Sequence, residues 1–197
     1  LGRANMLSHA FIFSCRDGNV LSDPNDFLTI SNDNFKTSTD EAISHYNSIS
    51  YLPQFNIDSA VKVCGLSMET YSTLIKCVYS VAVDKHMAHP LFIQYDGSET
   101  HMRNLLYCIY SALPFNIRGH LSVASAYLKN KQRVHLVFCK KIDDKNPYIV
   151  PTTGKNNLLS TRADRRLTRL GFVDFVAKNY NKIDINAYYK NLEHLNL

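Results

Sequence analysis

Residues 90–127, PLFIQYDGSETHMRNLLYCIYSALPFNIRGHLSVASAY, read as strand, amphipathic helix, proline-ended turn and second strand without a break in pattern. Leu91 to Tyr95 is an apolar, β-favouring run closed by the turn signal Asp96-Gly97, and Ser98 with Glu99 supplies a helix cap directly after it. Met102, Leu105, Leu106, Ile109, Tyr110 and Leu113 recur at spacings of three and four, which places them on one helical face, and Pro114 ends or re-aims that helix. One-sided spacing on an otherwise polar helix predicts burial of Met102, Leu105, Leu106, Ile109 and Leu113. Leu121 to Tyr127 then returns to β character. A second helix is expected to open at Ser67-Met68-Glu69, with Tyr71, Leu74, Ile75, Val78, Tyr79 and Ala82 at helical spacing up to about Lys85. The expected fold class is α+β: a mixed or antiparallel sheet packed by two long amphipathic helices, with a C-terminal helical annex.

The remaining segments fill in this outline. His9 to Cys15 reads as a strand that turns at Asp17-Gly18-Asn19, and Val20 to Phe35 as a loop with short pieces of structure. Ser38-Thr39-Asp40-Glu41 starts a short helix that Tyr51-Leu52-Pro53 cuts off, and Asp58 begins an apolar segment running to Cys64. Arg133 to Lys140 is a further strand, which the polar stretch Lys129-Asn130-Lys131-Gln132 joins to the Leu121 strand as an expected hairpin. Asp143 to Asn157, with Pro147, Pro151 and Gly154, reads as an exposed connection, and the chain from Ala163 as two helices separated near Lys182-Ile183-Asp184. The expected organisation is an α+β core over 1–157 and a helical extension over 158–197, packed on the core as one unit.

At 197 residues, 45% of them apolar and 20% charged, the composition is that of one folded domain with a sizeable core. No stretch approaches the roughly 20 apolar residues that span a bilayer, so a soluble chain without membrane contacts is expected. The sequence opens without an initiator Met, almost directly on a β-like run, which leads us to expect an upstream strand. Five widely spaced cysteines, Cys15, Cys64, Cys77, Cys108 and Cys139, each beside apolar neighbours, fit buried free thiols in a reducing cytoplasm. The net charge of +5 is unevenly spread. Leu1 to Leu128 holds eight Lys and Arg against eleven Asp and Glu, whereas Lys129 to Lys182 holds thirteen against four. The second part therefore favours anionic partners, acidic protein surfaces or nucleic acid.

Residues of the 90–122 stretch also carry a family likeness. Leu105, Leu106, Ile109, Tyr110, Leu113 and Pro114, followed by Arg118 and the Leu121-Ser122 strand start, resemble the LLxxIYxxLP helix, arginine and Leu-Ser strand of the N-terminal domain of the bacterial GTPase-associated protein 1 family. Gly2-Arg3-Ala4-Asn5 before Ser8-His9-Ala10-Phe11 is similar to that family's GR-x-N segment ahead of a His-bearing strand, and Asp23-Pro24 with Phe27 falls where the family has an acidic-proline loop. The family's Thr-Tyr strand end reads Ser125-Ala126-Tyr127 here, so no hydroxyl role is carried over. The resemblance implies a non-catalytic protein-interaction module of a bacterial multi-component system, in antiviral defence or stress signalling, with a GTPase or another component of the system as partner. The chain contains neither G-x-x-x-x-G-K-S/T nor G-x-G-x-x-G, so it is not expected to be the GTPase itself.

Arg162, Arg165, Arg166 and Arg169 stand at offsets of zero, three, four and seven, which on a helix puts four guanidinium groups on one stripe. Such a face suits bidentate contacts with carboxylates or phosphates, and it is the expected docking surface for an anionic partner. No aromatic residue is interleaved with these arginines as base stacking requires. A nucleic-acid-binding domain using the basic region 129–182 is the alternative. Arg3, Asn5 and His9 form a candidate polar cluster for an anion, and a small hydrolase built on His9 is a third reading. His86 and His89 lie three apart, but two imidazoles do not make a metal site, and none of the cysteines falls in a Gly-flanked turn of the kind that exposes a thiolate. No cofactor and no metal are expected.

Overall fold

In a computed structural model of the chain, the described residues are 23–31, 50–83, 89–125, 134–159 and 171–194. The apolar run Leu91–Gln94 forms β1, the central strand of a mixed five-stranded sheet. It is followed, as its Asp-Gly signal demands, by helix α4 over Glu99–Ala112 and by the single turn α5 at Phe115–Arg118. Among the described residues three helices precede β1: α1 (Asn25–Leu28), α2 (Ile57–Val63) and the sixteen-residue α3 (Met68–Val83). Strands β2 (Val123–Ala124), β3 (Leu136–Cys139), β4 (Tyr148–Val150) and β5 (Lys155–Asn156) complete the sheet, and α6 (Gly171–Asn179) and α7 (Ile185–His194) follow.

The strand order is β2-β3-β1-β4-β5. Leu91 to Gln94 pair in parallel with Leu136 to Cys139, Phe92 and Ile93 pair in parallel with Tyr148 and Ile149, and within this sheet only the β4–β5 pair is antiparallel. Strands β2 and β3 are also parallel, with Val123 beside Leu136. The hairpin expected from 121–140 is therefore replaced by a parallel pair, because β propensity fixes a strand's existence and not its direction. The connection expected over 143–157 is corrected too. Flanked by Pro147 and Pro151, Tyr148–Val150 is a buried strand, with Ile149 completely enclosed. A three-residue apolar run between prolines is too short to register as periodicity, and burial from both sides makes it a strand.

Local chemistry explains where the helices begin. Ser67 and Thr70 cap reciprocally: the Thr70 amide donates to Ser67 Oγ at 3.1 Å and the Ser67 amide to Thr70 Oγ1 at 2.9 Å. Asn56 Oδ1 accepts from the amides of Asp58 and Ser59, which turns the segment expected to be merely apolar into α2. Ser98 Oγ accepts from the His101 amide at 3.1 Å to start α4. Leu105, Ile109 and Leu113 are fully buried as expected, whereas Met102 and Leu106 are only partly buried and Cys108 and Ala112 are fully buried as well. The buried stripe thus shares Leu105, Ile109 and Leu113 with the one that spacing implied and is turned from it towards Cys108 and Ala112.

The core is one cluster. Leu74, Ile75, Val78 and Val81 of α3 meet Leu91 and Ile93 of β1, Leu136 and Phe138 of β3, and Val173, Val176, Ala177, Ile185 and Tyr189 of the last two helices. Edge-on ring contacts tie the last helices down, Tyr79 against Phe172 at 5.3 Å and Tyr71 against Tyr180 at 5.6 Å. None of the described helices is long and apolar enough to cross a membrane. The strand expected at 9–15, the helix expected from Ser38 and the turn residues 129–132 lie outside the described residues.

Candidate functional site

The residues behind the family likeness converge on the C-terminal end of α4. The last carbonyls of a helix have no donor in the ladder, and a buried end needs other partners. Here α5 and α7 supply them, and α3 adds a further donor one turn earlier. Arg118, from α5, donates through Nε to the Leu113 carbonyl at 2.8 Å and through Nη2 to that of Ser111 at 3.2 Å. The Tyr189 hydroxyl, from α7, donates to the Ala112 carbonyl at 2.6 Å, and the Tyr71 hydroxyl, from α3, to that of Cys108 at 2.8 Å. Tyr110 reaches forward instead, its hydroxyl donating to the Leu121 carbonyl at 3.2 Å ahead of β2. Arg118 is 2% exposed and lies over the Phe115 ring at 4.8 Å. Its cation sits at the negative pole of the α4 dipole.

Burial sets the acid–base properties of this cluster. It brings the Arg118 guanidinium down to about 10, still charged at neutral pH, and pushes the Tyr110 phenol up to about 12. The Tyr71 and Tyr189 phenols are raised further by the same cause. All three tyrosines therefore remain protonated donors at neutral pH, as their hydrogen bonds require.

Ser122 and His135 form the most reactive-looking pair. Ser122 Oγ lies 2.8 Å from His135 Nδ1, and burial followed by the nearby His120 lowers the imidazole below its usual range. The same Nδ1 also accepts the Ser122 amide N–H at 3.1 Å, while the His135 amide donates to Ser122 Oγ at 3.1 Å and to its carbonyl at 3.0 Å. An amide can only donate, so Nδ1 is unprotonated and its lone pair is engaged by backbone. The pair ties the entry of β2 to that of β3, and the Ser122 amide and hydroxyl share the single lone pair of Nδ1.

Two further polar groups line the surface. At the end of β1, the Ser98 amide donates to Asp96 Oδ1 at 2.7 Å and holds that carboxyl below its usual range. His101 Nδ1 accepts the Asp96 amide at 3.2 Å, and its Nε2 is buried without a partner. Gly97 has φ +94°, and a Cβ there would collide with Lys140 Cε, so the stem of that lysine occupies the space a side chain would need. Between α3 and α6 runs an open groove of about 520 Å³. Across it Lys76 Nζ meets Asp174 Oδ1 at 2.7 Å and Ser72 Oγ donates to the same oxygen at 2.6 Å. Burial raises the Asp174 carboxyl, but these bonds outweigh it and leave it below its usual range. The groove carries Glu69 and Asp174 against Lys76 and Lys178, charges that cancel.

Neither predicted cluster falls in the region described. Arg162, Arg165, Arg166 and Arg169, and Arg3, Asn5 and His9, lie outside the described residues, as do His86 and Cys15. Cys64, Cys77 and Cys108 are buried free thiols and Cys139 is half-buried. Hydrogen bonding with Cys64, then burial, raises the Cys108 thiol, and burial alone raises that of Cys139. Among the described residues no three His, Cys, Asp or Glu side chains gather as metal ligands. Sequence reasoning took Arg118 as a motif position only; its place four residues after Pro114, where a helix end must be satisfied, was the available signal. Comparison of the chain with family models, with curated proteins and with solved structures finds no match.

Proposed function

We propose that the chain is a non-catalytic protein-interaction module of a bacterial multi-component system, acting in the cytoplasm and docking an acidic partner through the Arg162–Arg169 stripe. One observation supports the non-catalytic part. The groups that resemble catalytic machinery are engaged in holding the fold: His135 Nδ1 takes a backbone amide, and the Cys108 and Cys139 thiols are pushed away from the thiolate. The residues behind the family likeness act in the same way, since Tyr110 and Arg118 bond to carbonyls around the end of α4. The likeness on which the partner class rests is therefore one of scaffold. The charge excess of residues 129–182 favours an anionic partner.

The test separates protein from nucleic acid. The purified chain is titrated with duplex and single-stranded oligonucleotides from low to physiological salt, in parallel with co-purification from its native cells. A stoichiometric protein partner with only weak oligonucleotide binding supports the reading. Tight oligonucleotide binding that weakens linearly in log–log form with salt replaces it by the nucleic-acid alternative.

A further inference from the structure

We infer that Ser122 and His135 form an acid-sensitive latch on the edge of the sheet. The geometry carries this. Strand β2 contributes only Val123 and Ala124 to the sheet, a pairing too short to hold by its ladder alone. The bonds just before it do more: the His135 and Leu136 amides both donate to the Ser122 carbonyl, at 3.0 and 3.1 Å, and the Ser122 amide donates back to His135 Nδ1 at 3.1 Å. That last bond exists only while Nδ1 is unprotonated. The neutral ring already carries its proton on Nε2, so acidification adds the second proton at Nδ1, which can then donate only to Ser122 Oγ at 2.8 Å and is set against the Ser122 amide N–H.

The sign follows from the bond. A histidine whose neutral form is favoured by the fold has a folded pKa below its unfolded one, so the latch is complete above the unfolded value near 6.5 and is lost as pH falls through the folded one. Among the described residues, the ionisable group acting on His135 is His120, exposed on the turn after α5, and its charge pushes in the same direction. Opening the latch frees β2 from β3, whose edge amides then face solvent and can accept another strand.

Amide exchange of the whole chain, followed by NMR and corrected for intrinsic rates, tests this between pH 7.5 and 5.5. The Ser122 and Leu136 amides are the reporters. Phe92, which donates to the Pro147 carbonyl, and Tyr95, which donates to that of Cys139, are the references. Protection of the reporters relative to the references is expected to fall by up to about tenfold per pH unit below the folded pKa. His135→Asn, which keeps an uncharged acceptor, should abolish the fall, and His120→Gln should retain it. A constant ratio, a fall that persists in His135→Asn, or one that disappears in His120→Gln overturns the latch. If His135→Asn does not fold, the imidazole ¹⁵N shifts of the unaltered protein decide. A His135 titration midpoint that coincides with the loss of protection supports the latch, and one that does not overturns it.

Discussion

Removing the Tyr189 hydroxyl tests whether α4 is held at its end by side chains from other helices. Tyr189→Phe leaves the ring and its packing against Phe115 in place, so almost no cavity forms and the change is confined to one hydrogen bond. The Ala112 carbonyl, accepting at 2.6 Å, belongs to the last residue of α4 and lies beyond the helical ladder. Left buried without that donor, it should cost about 1–3 kcal/mol. Tyr71→Phe is the internal contrast. Its acceptor, the Cys108 carbonyl, lies one turn earlier, where the ladder provides a donor of its own, so the loss should be nearer 0.5–1 kcal/mol. The two hydroxyls serve different carbonyls, and the double variant should be additive to within about 0.5 kcal/mol. Urea unfolding at pH 7.5, followed by circular dichroism, reads these values, provided the slope with denaturant is unchanged. A Tyr189→Phe loss below about 0.3 kcal/mol, or a larger loss for Tyr71→Phe, would refute the capping role.

Other consequences are testable alongside. Ile109→Ala empties a fully buried site in the core cluster and should cost about 2–5 kcal/mol, while Leu106→Ala, only partly buried, should cost clearly less; equal losses would move the core stripe back to the one expected from spacing. The tyrosines predict an alkaline limit. Unfolded phenols ionise near pH 10, whereas Tyr110 keeps its proton to about 12, so stability is present below pH 10 and a few kcal/mol of it, about 1.4 per pH unit, is lost between these values from this residue alone. The part of the tyrosinate absorbance that belongs to the buried phenols should therefore appear together with unfolding, and complete tyrosine ionisation of a still folded chain would contradict this. Cys64, Cys77 and Cys108 should react with a thiol reagent only after denaturation, and the non-reduced intact mass should show no loss of two hydrogens.

The parts of the fold that local chemistry determines were legible. The cap at Ser98, the apolar face of α4 and the break at Pro114 all act within a few residues of one another, and so does the Ser67–Thr70 cap of α3. Strand direction was not legible. Nothing near Leu121 or Leu136 encodes whether they pair in parallel, because that depends on how the intervening chain returns to the sheet. Strand β4 was hidden because three residues between two prolines carry no period, and its identity comes from β1 beside it. The capping of α4 was invisible for a related reason. Its donor Tyr189 stands 77 positions after its acceptor, and the Tyr71 hydroxyl, which adds a bond one turn earlier, 37 positions before its own. The resemblance drew attention to Arg118 and Tyr110 without saying what they do; their hydrogen bonds give them a role in holding the scaffold.

The most direct test of the proposed function is charge reversal on the arginine stripe. Arg165→Glu with Arg166→Glu, made in the full chain and followed by co-purification from native cells and by thermal melting, should abolish recovery of the protein partner. If the two arginines form the proposed docking face, the melt should stay nearly unchanged, since surface substitutions alter stability by less than about 0.5 kcal/mol. An unfolded double variant would mean that these arginines pair within the fold, and full recovery of the partner from a stable variant would mean that docking occurs elsewhere; either result contradicts the account.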